Sequence, residues 1–155
     1  MSEENTGLGP STRAIHAGSP PPEPGAPVVP PVVMSSTFYG GKRDEPGPLR
    51  YSRYGNNPNQ EQVAAKMAAL EGTEASLLLS SGMAAIALTV LSATEAGDHI
   101  VASRHLYGAT HELFTHELPR RGIEVTFIEP GDQDEWRAAL RERTRVLYLE
   151  VPTNP

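Results

Sequence analysis

The chain contains no cysteine, which excludes disulfide staples and thiolate metal sites. Lysine is nearly as scarce: Lys42 and Lys66 are the only two in the 155 residues. No apolar run approaches the ~20 residues of a membrane-spanning helix. The N-terminal Met1-Ser2-Glu3-Glu4-Asn5 also lacks the apolar core of a secretory signal. Positive charge is in deficit, with thirteen basic against nineteen acidic residues and a net charge of −6. That balance disfavours nucleic acid or an anionic membrane as a general partner. A soluble, cytoplasmic protein is therefore expected, and 155 residues suffice for one domain with a real core.

Proline is plentiful, and it is concentrated near the start. Pro20-Pro21-Pro22-Glu23-Pro24-Gly25 and the stretch from Pro27 to Pro31 forbid regular helix and cannot serve as a central strand. Residues 1–58 are accordingly expected to form an extended arm. Val28, Val29, Val32, Val33, Met34 and Phe38 give it an apolar character suited to docking on another surface.

Residues 59–155 have regular periodicity and are expected to form an α/β domain. Asn59-Gln60-Glu61-Gln62 resembles a capping box, followed by Val63, Met67 and Leu70 at helical spacing and by Gly72 as a stop. Strands are expected over 75–79, 99–102, 123–128 and 146–150. Helices are expected over 83–93, 110–121 and 132–141. This alternation implies βαβ crossovers and a mostly parallel, covered sheet.

The most informative segment is Leu77-Leu78-Leu79-Ser80-Ser81-Gly82-Met83-Ala84-Ala85-Ile86. An apolar run ends in Ser-Ser-Gly, and a run of helix formers begins at once. The first N–H groups of a helix have no internal partners and sit at the positive end of its dipole, so the turn is suited to a phosphate or carboxylate. Ordinary capping by Ser81 accounts for the same residues equally well. Three further clusters carry more polar and aromatic character than connecting loops need: 51–58 (YSRYGNNP), 106–110 (LYGAT) and 150–155 (EVPTNP). The last two follow expected strands, and ligands in parallel sheets sit at the carboxyl ends of strands.

In this order and spacing, together with Thr12-Arg13-Ala14-Ile15-His16-Ala17-Gly18, Leu70-Glu71-Gly72 and Gly97-Asp98, these segments resemble the transsulfuration enzymes of cysteine and methionine metabolism. That pyridoxal 5'-phosphate-dependent family includes cystathionine γ-synthase, the cystathionine lyases, O-acetylhomoserine sulfhydrylase and methionine γ-lyase. The resemblance implies the fold-type I, aspartate-aminotransferase-like large domain and a homotetramer built from dimers that share active sites. It gives Tyr51 and Arg53 the role of holding the cofactor phosphate of a neighbouring subunit. Gly82 and Met83 would bind that phosphate through backbone N–H groups, with Ser81 beside them. Tyr107 would stack on the pyridine ring, and Asn154 would hydrogen-bond the ring's phenolic oxygen. Two departures from the family pattern fall together: Asn57 is an apparent extra residue before Pro58, and Asn59 stands where threonine is usual. Among the members, methionine γ-lyases usually carry cysteine where Ala109 stands.

The resemblance also implies a Schiff-base lysine, an acidic partner for the pyridine nitrogen and an arginine for the substrate carboxylate. Neither Lys42, in a polar loop, nor Lys66, expected on the exposed side of the first helix, fits the lysine. The chain is therefore expected to be the N-terminal part of an enzyme of β/γ-elimination or γ-replacement on cystathionine, homoserine esters or related amino acids. A non-catalytic oligomerisation module is the alternative. Other chemistries fit less well. His111 and His116 stand five apart, where a metalloprotease helix needs i, i+4, and His105 has no partner of that kind. Leu79 and Met83 stand where a nucleophile elbow around Ser81 would need glycine. No G-x-G-x-x-G follows a strand.

Overall fold

A computed structural model describes residues 9–19, 23–41 and 47–153 of the chain. They divide into two compact units, Met1–Leu78 and Leu79–Pro155.

The first unit contains a helix where an extended arm is expected. Helix α1, Pro10–His16, opens on a proline, whose fixed φ suits the first helical position and whose missing N–H no helical bond requires. The chain then turns at Gly18, with φ +72°. A Cβ there would lie 2.6 Å from the backbone nitrogen of Lys66, so the close approach to helix α2, Pro58–Glu71, requires glycine.

The capping box of α2 lies two residues before the expected one. Asn57 is the N-cap, accepting from Asn59 N, and the Gln60 side chain returns to the Asn57 N–H. Pro58 decides this, because it is pre-organised for N1 and fixes Asn57 as the cap. The face of α2 also differs from expectation. Val63, Met67 and Leu70 remain 37–44% exposed, whereas Ala68 is buried and Lys66 donates to the Ile15 carbonyl at 2.9 Å. Small residues, not the larger apolar stripe, admit α1 closely. Lys42 lies outside the described residues.

Among the described residues between α1 and α2, the chain forms one isolated antiparallel bridge, between Thr37 and Tyr51. Four of the arm's apolar side chains, Val28, Val29, Val32 and Met34, lie open, Val28 98% and Met34 92% exposed, whereas Val33 and Phe38 are half-buried. The backbone, by contrast, is pinned. Asn59 accepts from Val33 N at 2.7 Å and donates to the Pro31 carbonyl at 2.8 Å, while Asn57 donates to the Ser35 carbonyl at 3.0 Å. The two residues that depart from the family pattern thus anchor the arm.

The second unit is built on a three-stranded parallel sheet in the order β2-β1-β3. Strand β1 is His99–Ser103, β2 is Glu124–Ile128 and β3 is Thr144–Tyr148. On one face Ile100 and Ala102 lie in register with Val125 and Phe127 on one side and Val146 and Tyr148 on the other. Together with Val90, Phe114, Leu118 and Ile123 they form the apolar core. Helix α3, Gly82–Ala93, supplies Val90. The expected strand at 75–79 has no regular secondary structure and pairs with no strand among the described residues, and Leu77 is 70% exposed. Apolar composition favours a strand, but only a hydrogen-bonding neighbour makes one.

Between β1 and β2 the chain forms one long helical stretch in three parts. Helix α4, Gly108–Glu112, passes into a π-helical segment, Leu113–Glu117, and then into α5, Leu118–Arg120. The widening precedes Pro119, which has no N–H for the Thr115 carbonyl and whose ring crowds it. Helix α6, Gln133–Ala139, is capped by Asp132, which accepts from Asp134 N and Glu135 N. No described helix is long and apolar enough to cross a membrane.

The opposite face of the sheet contains a polar cross-strand ladder that the apolar pattern of β1 conceals. His99 is buried, and its two ring nitrogens each lie 2.8 Å from a threonine hydroxyl, Thr144 on β3 and Thr126 on β2. Burial holds His99 below its ordinary 6.5, helped by the Arg141 guanidinium and opposed by the Glu124 carboxylate. The unfolded chain takes up this proton at a higher pH than the folded one. Stability from this group is therefore complete above about pH 6.5 and is lost as the pH falls below it. Urea denaturation should show a lower midpoint at pH 5 than at pH 7.5, and His99→Gln should flatten that difference. An equal acid loss in the variant would remove His99 as its cause.

Candidate active site

The sequence brings together one group of candidate residues in each unit. In the first unit a short 3-10 turn, Ser52–Tyr54, places Arg53 directly against Tyr51. The guanidinium donates to the Tyr51 hydroxyl at 3.0 Å, and its carbon lies 5.3 Å from the ring centroid. Tyr54 packs edge-on against the same ring at 5.7 Å. Arg50, beside this turn, is occupied by the Asn56 carbonyl and the Glu61 carboxylate, and Asn56 fixes the Tyr51 N–H at 2.8 Å. Arg53 keeps further donors of its fork directed to solvent. It and the Tyr51 hydroxyl form a small exposed cluster suited to an anionic oxygen.

In the second unit the serine-glycine turn opens α3. Ser81 Oγ accepts from Ala84 N at 3.1 Å, and the Ser81 carbonyl accepts from Ala85 N. This cap uses the third N–H of the helix and leaves those of Gly82 and Met83 without a partner among the described residues. A Cβ at Gly82 would meet nothing within 4 Å, and Gly82 is exposed. Capping and anion binding are thus compatible here.

Tyr107 ends the loop after β1 and is the N-cap of α4, with its ring half exposed. No side chain of its own turn caps the helix. The Glu150 carboxylate, two residues beyond the end of β3, does so from a neighbouring element. Its Oε2 accepts from Tyr107 N at 2.7 Å, and its Oε1 accepts from the hydroxyls of Thr110 at 2.9 Å and Tyr148 at 3.0 Å. Thr110 Oγ1 lies 3.7 Å from Met83 Sδ, which joins this group to the first turn of α3. Burial, with the Glu150 carboxylate as the second cause, pushes the Tyr148 hydroxyl up to about 12. Asn154 falls outside the described residues.

The histidines are engaged elsewhere. His105 pairs with Glu129 and His116 with Glu112, both at 3.0 Å. His111 stacks on Phe127 with centroids 5.1 Å apart. Sequence patterns pointed to Tyr51, Arg53, Ser81, Gly82, Met83 and Tyr107. They missed Glu150 and Thr110 as a network, because only the adjacency of β1 and β3 brings residues 43 positions apart together.

The family model for Cys/Met metabolism PLP-dependent enzymes matches residues 11–155. The chain belongs to this family. An L-methionine gamma-lyase from Fusobacterium nucleatum subsp. nucleatum is 42% identical over 100% of this chain and 40% of its own length. A cystathionine gamma-synthase from Mycobacterium bovis is 40% identical over 100% of this chain and 41% of its own length. The crystal structure of metB from Corynebacterium glutamicum superposes with a TM-score of 0.89 at 32% identity, covering 97% of this chain and 39% of that one. Cystathionine gamma-lyase from Lactobacillus plantarum, complexed with L-serine, gives a TM-score of 0.84 at 35% identity over 96% and 38%. The fold is therefore that of the fold-type I PLP enzymes. The chain spans about 40% of the length of the curated relatives it matches. Pyridoxal 5'-phosphate is the cofactor of the family, and the unpartnered N–H pair of α3 fits its phosphate by donor chemistry.

Proposed function

We propose that the intact protein is a pyridoxal 5'-phosphate-dependent enzyme of sulfur amino-acid metabolism. It would carry out β- or γ-elimination or γ-replacement on cystathionine, homoserine esters or related amino acids. The observation that supports this reading most directly is the first turn of α3. There Ser81 caps the helix while leaving the Gly82 and Met83 N–H groups without a partner among the described residues, beside an exposed Gly82. In this reading those N–H groups hold the cofactor phosphate with Ser81 beside them. Tyr107 covers the ring face, and Asn154 bonds the phenolic oxygen. Tyr51 and Arg53 hold the phosphate of a neighbouring subunit, so assembly, as a homotetramer of paired dimers in the cytoplasm, completes the site. The cofactor supplies a sink for the electrons left when the substrate Cα loses its proton. The residues of this chain bind and orient it.

Relatives named methionine gamma-lyase and cystathionine gamma-synthase match at similar identity, and Ala109 weighs against the former. The test is reconstitution of the intact protein with pyridoxal 5'-phosphate. A visible absorption band that borohydride abolishes is expected, followed by turnover of one among methionine, cystathionine and O-acetylhomoserine. Protein that stays colourless after reconstitution would overturn the reading and favour the non-catalytic module.

A further inference from the structure

Glu150 belongs to a segment whose apparent interest lies in Asn154, yet among the described residues of that segment it has the densest bonding. Both carboxylate oxygens are committed. One takes the Tyr107 N–H at 2.7 Å; the other takes the Thr110 and Tyr148 hydroxyls at 2.9 and 3.0 Å. Thr110 is fully buried and Tyr148 belongs to the core packing, so the carboxylate is held from the protein interior. Its other end acts on the N-cap of α4, where the unpaired N–H groups and the helix dipole favour a negative charge. The Tyr107 ring itself has no hydrogen bond or ring contact among the described residues, and it is half exposed. The place from which it projects is set by its backbone, which the Glu150 carboxylate holds.

We propose that Glu150 is a positioning residue: its carboxylate clamps the Tyr107 backbone and thereby aims the Tyr107 ring. The inference rests on the reading above, in which Tyr107 lies over the cofactor ring, for its functional consequence alone. The clamp itself stands on the hydrogen bonds. Charge-assisted bonds of this kind are short and about twice as strong as neutral ones. A glutamine keeps an acceptor oxygen for Tyr107 N, whereas alanine leaves none.

The test uses intact protein and compares Glu150→Ala and Glu150→Gln with wild type in two measurements. Amide hydrogen exchange without cofactor should show the Tyr107 amide exchanging roughly tenfold or more faster in Glu150→Ala, the change that loss of one charge-assisted bond gives. Glu150→Gln should restore most of the protection, and the Val101 and Ala102 amides of β1 should stay protected in all three. With pyridoxal 5'-phosphate bound, Glu150→Ala should lose visible circular dichroism at unchanged cofactor occupancy, a change that a role in stability alone does not produce. Unaltered Tyr107 exchange in Glu150→Ala overturns the clamp, and so does a rise shared equally by Val101 and Ala102. Unaltered dichroism overturns its effect on the ring. If wild-type protein binds no cofactor while Tyr107 exchange still rises, the clamp stands and the cofactor reading fails.

Discussion

Phe114→Ala is expected to destabilise the second unit by about 3–5 kcal/mol, the usual range for removing a buried aromatic ring. Phe114 is fully buried, lies with its ring centroid 4.8 Å from that of Tyr148, and packs in the cluster of Val90, Ile100, Ala102, Leu118 and Ile123. Against a typical domain stability of roughly 5–15 kcal/mol, such a loss threatens folding at ordinary temperature. Phe114→Leu keeps much of the volume and is expected to cost roughly half as much. Urea denaturation monitored by circular dichroism gives both values. A loss under about 1 kcal/mol for the alanine variant would mean that the helix and sheet collapse into the gap, and that the core is not organised around this ring.

Arg53→Ala in the intact protein is expected to weaken retention of pyridoxal 5'-phosphate about tenfold or more, since a charge-assisted contact to phosphate is lost. Arg53→Lys should recover only part of it, because a lysine lacks the bidentate fork. Equilibrium dialysis measures the effect. Dilution then separates two origins of the contact. If Arg53 serves a neighbouring subunit, wild-type retention falls as assembly is diluted away, while the retention that remains in Arg53→Ala is less sensitive to dilution. Equal affinity of variant and wild type would remove Arg53 from the phosphate site altogether.

Much of the second unit was legible because its signals are local. Gly97 and Gly122 both have positive φ and mark the turns before β1 and β2. The alternation through Val125 and Phe127 predicts the face that β2 buries. Ser81 capping α3 follows from the residue types alone. What escaped needs a partner distant in sequence. The run 75–79 has strand composition without a paired strand among the described residues. His99 looked like part of an apolar strand until Thr126 and Thr144 were placed either side of it. Glu150 closes the expected strand 146–150, whereas β3 ends at Tyr148 and the β1–β3 neighbourhood puts Glu150 against the Tyr107 N–H. Two misses were local all the same. Pro10 and Pro58 each open a helix, and treating prolines only as breakers hid α1 and displaced the cap of α2. Pro119 likewise announced the π-helical segment before it.

The Asn59 carboxamide joins the arm to α2 through both of its ends, one donating and one accepting. That arrangement has a chemical lifetime. Slow hydrolysis of an asparagine amide replaces its two donors by a second acceptor oxygen. The bond from Val33 N would persist and gain charge assistance, while the contact with the Pro31 carbonyl would become a meeting of two oxygens. The strap would then hold at one point and repel at the next, within a protein that had gained one negative charge and lost no residue. An anchor built from a side-chain amide thus dates the molecule, as a backbone ladder of the kind that holds β1 to its neighbours never could.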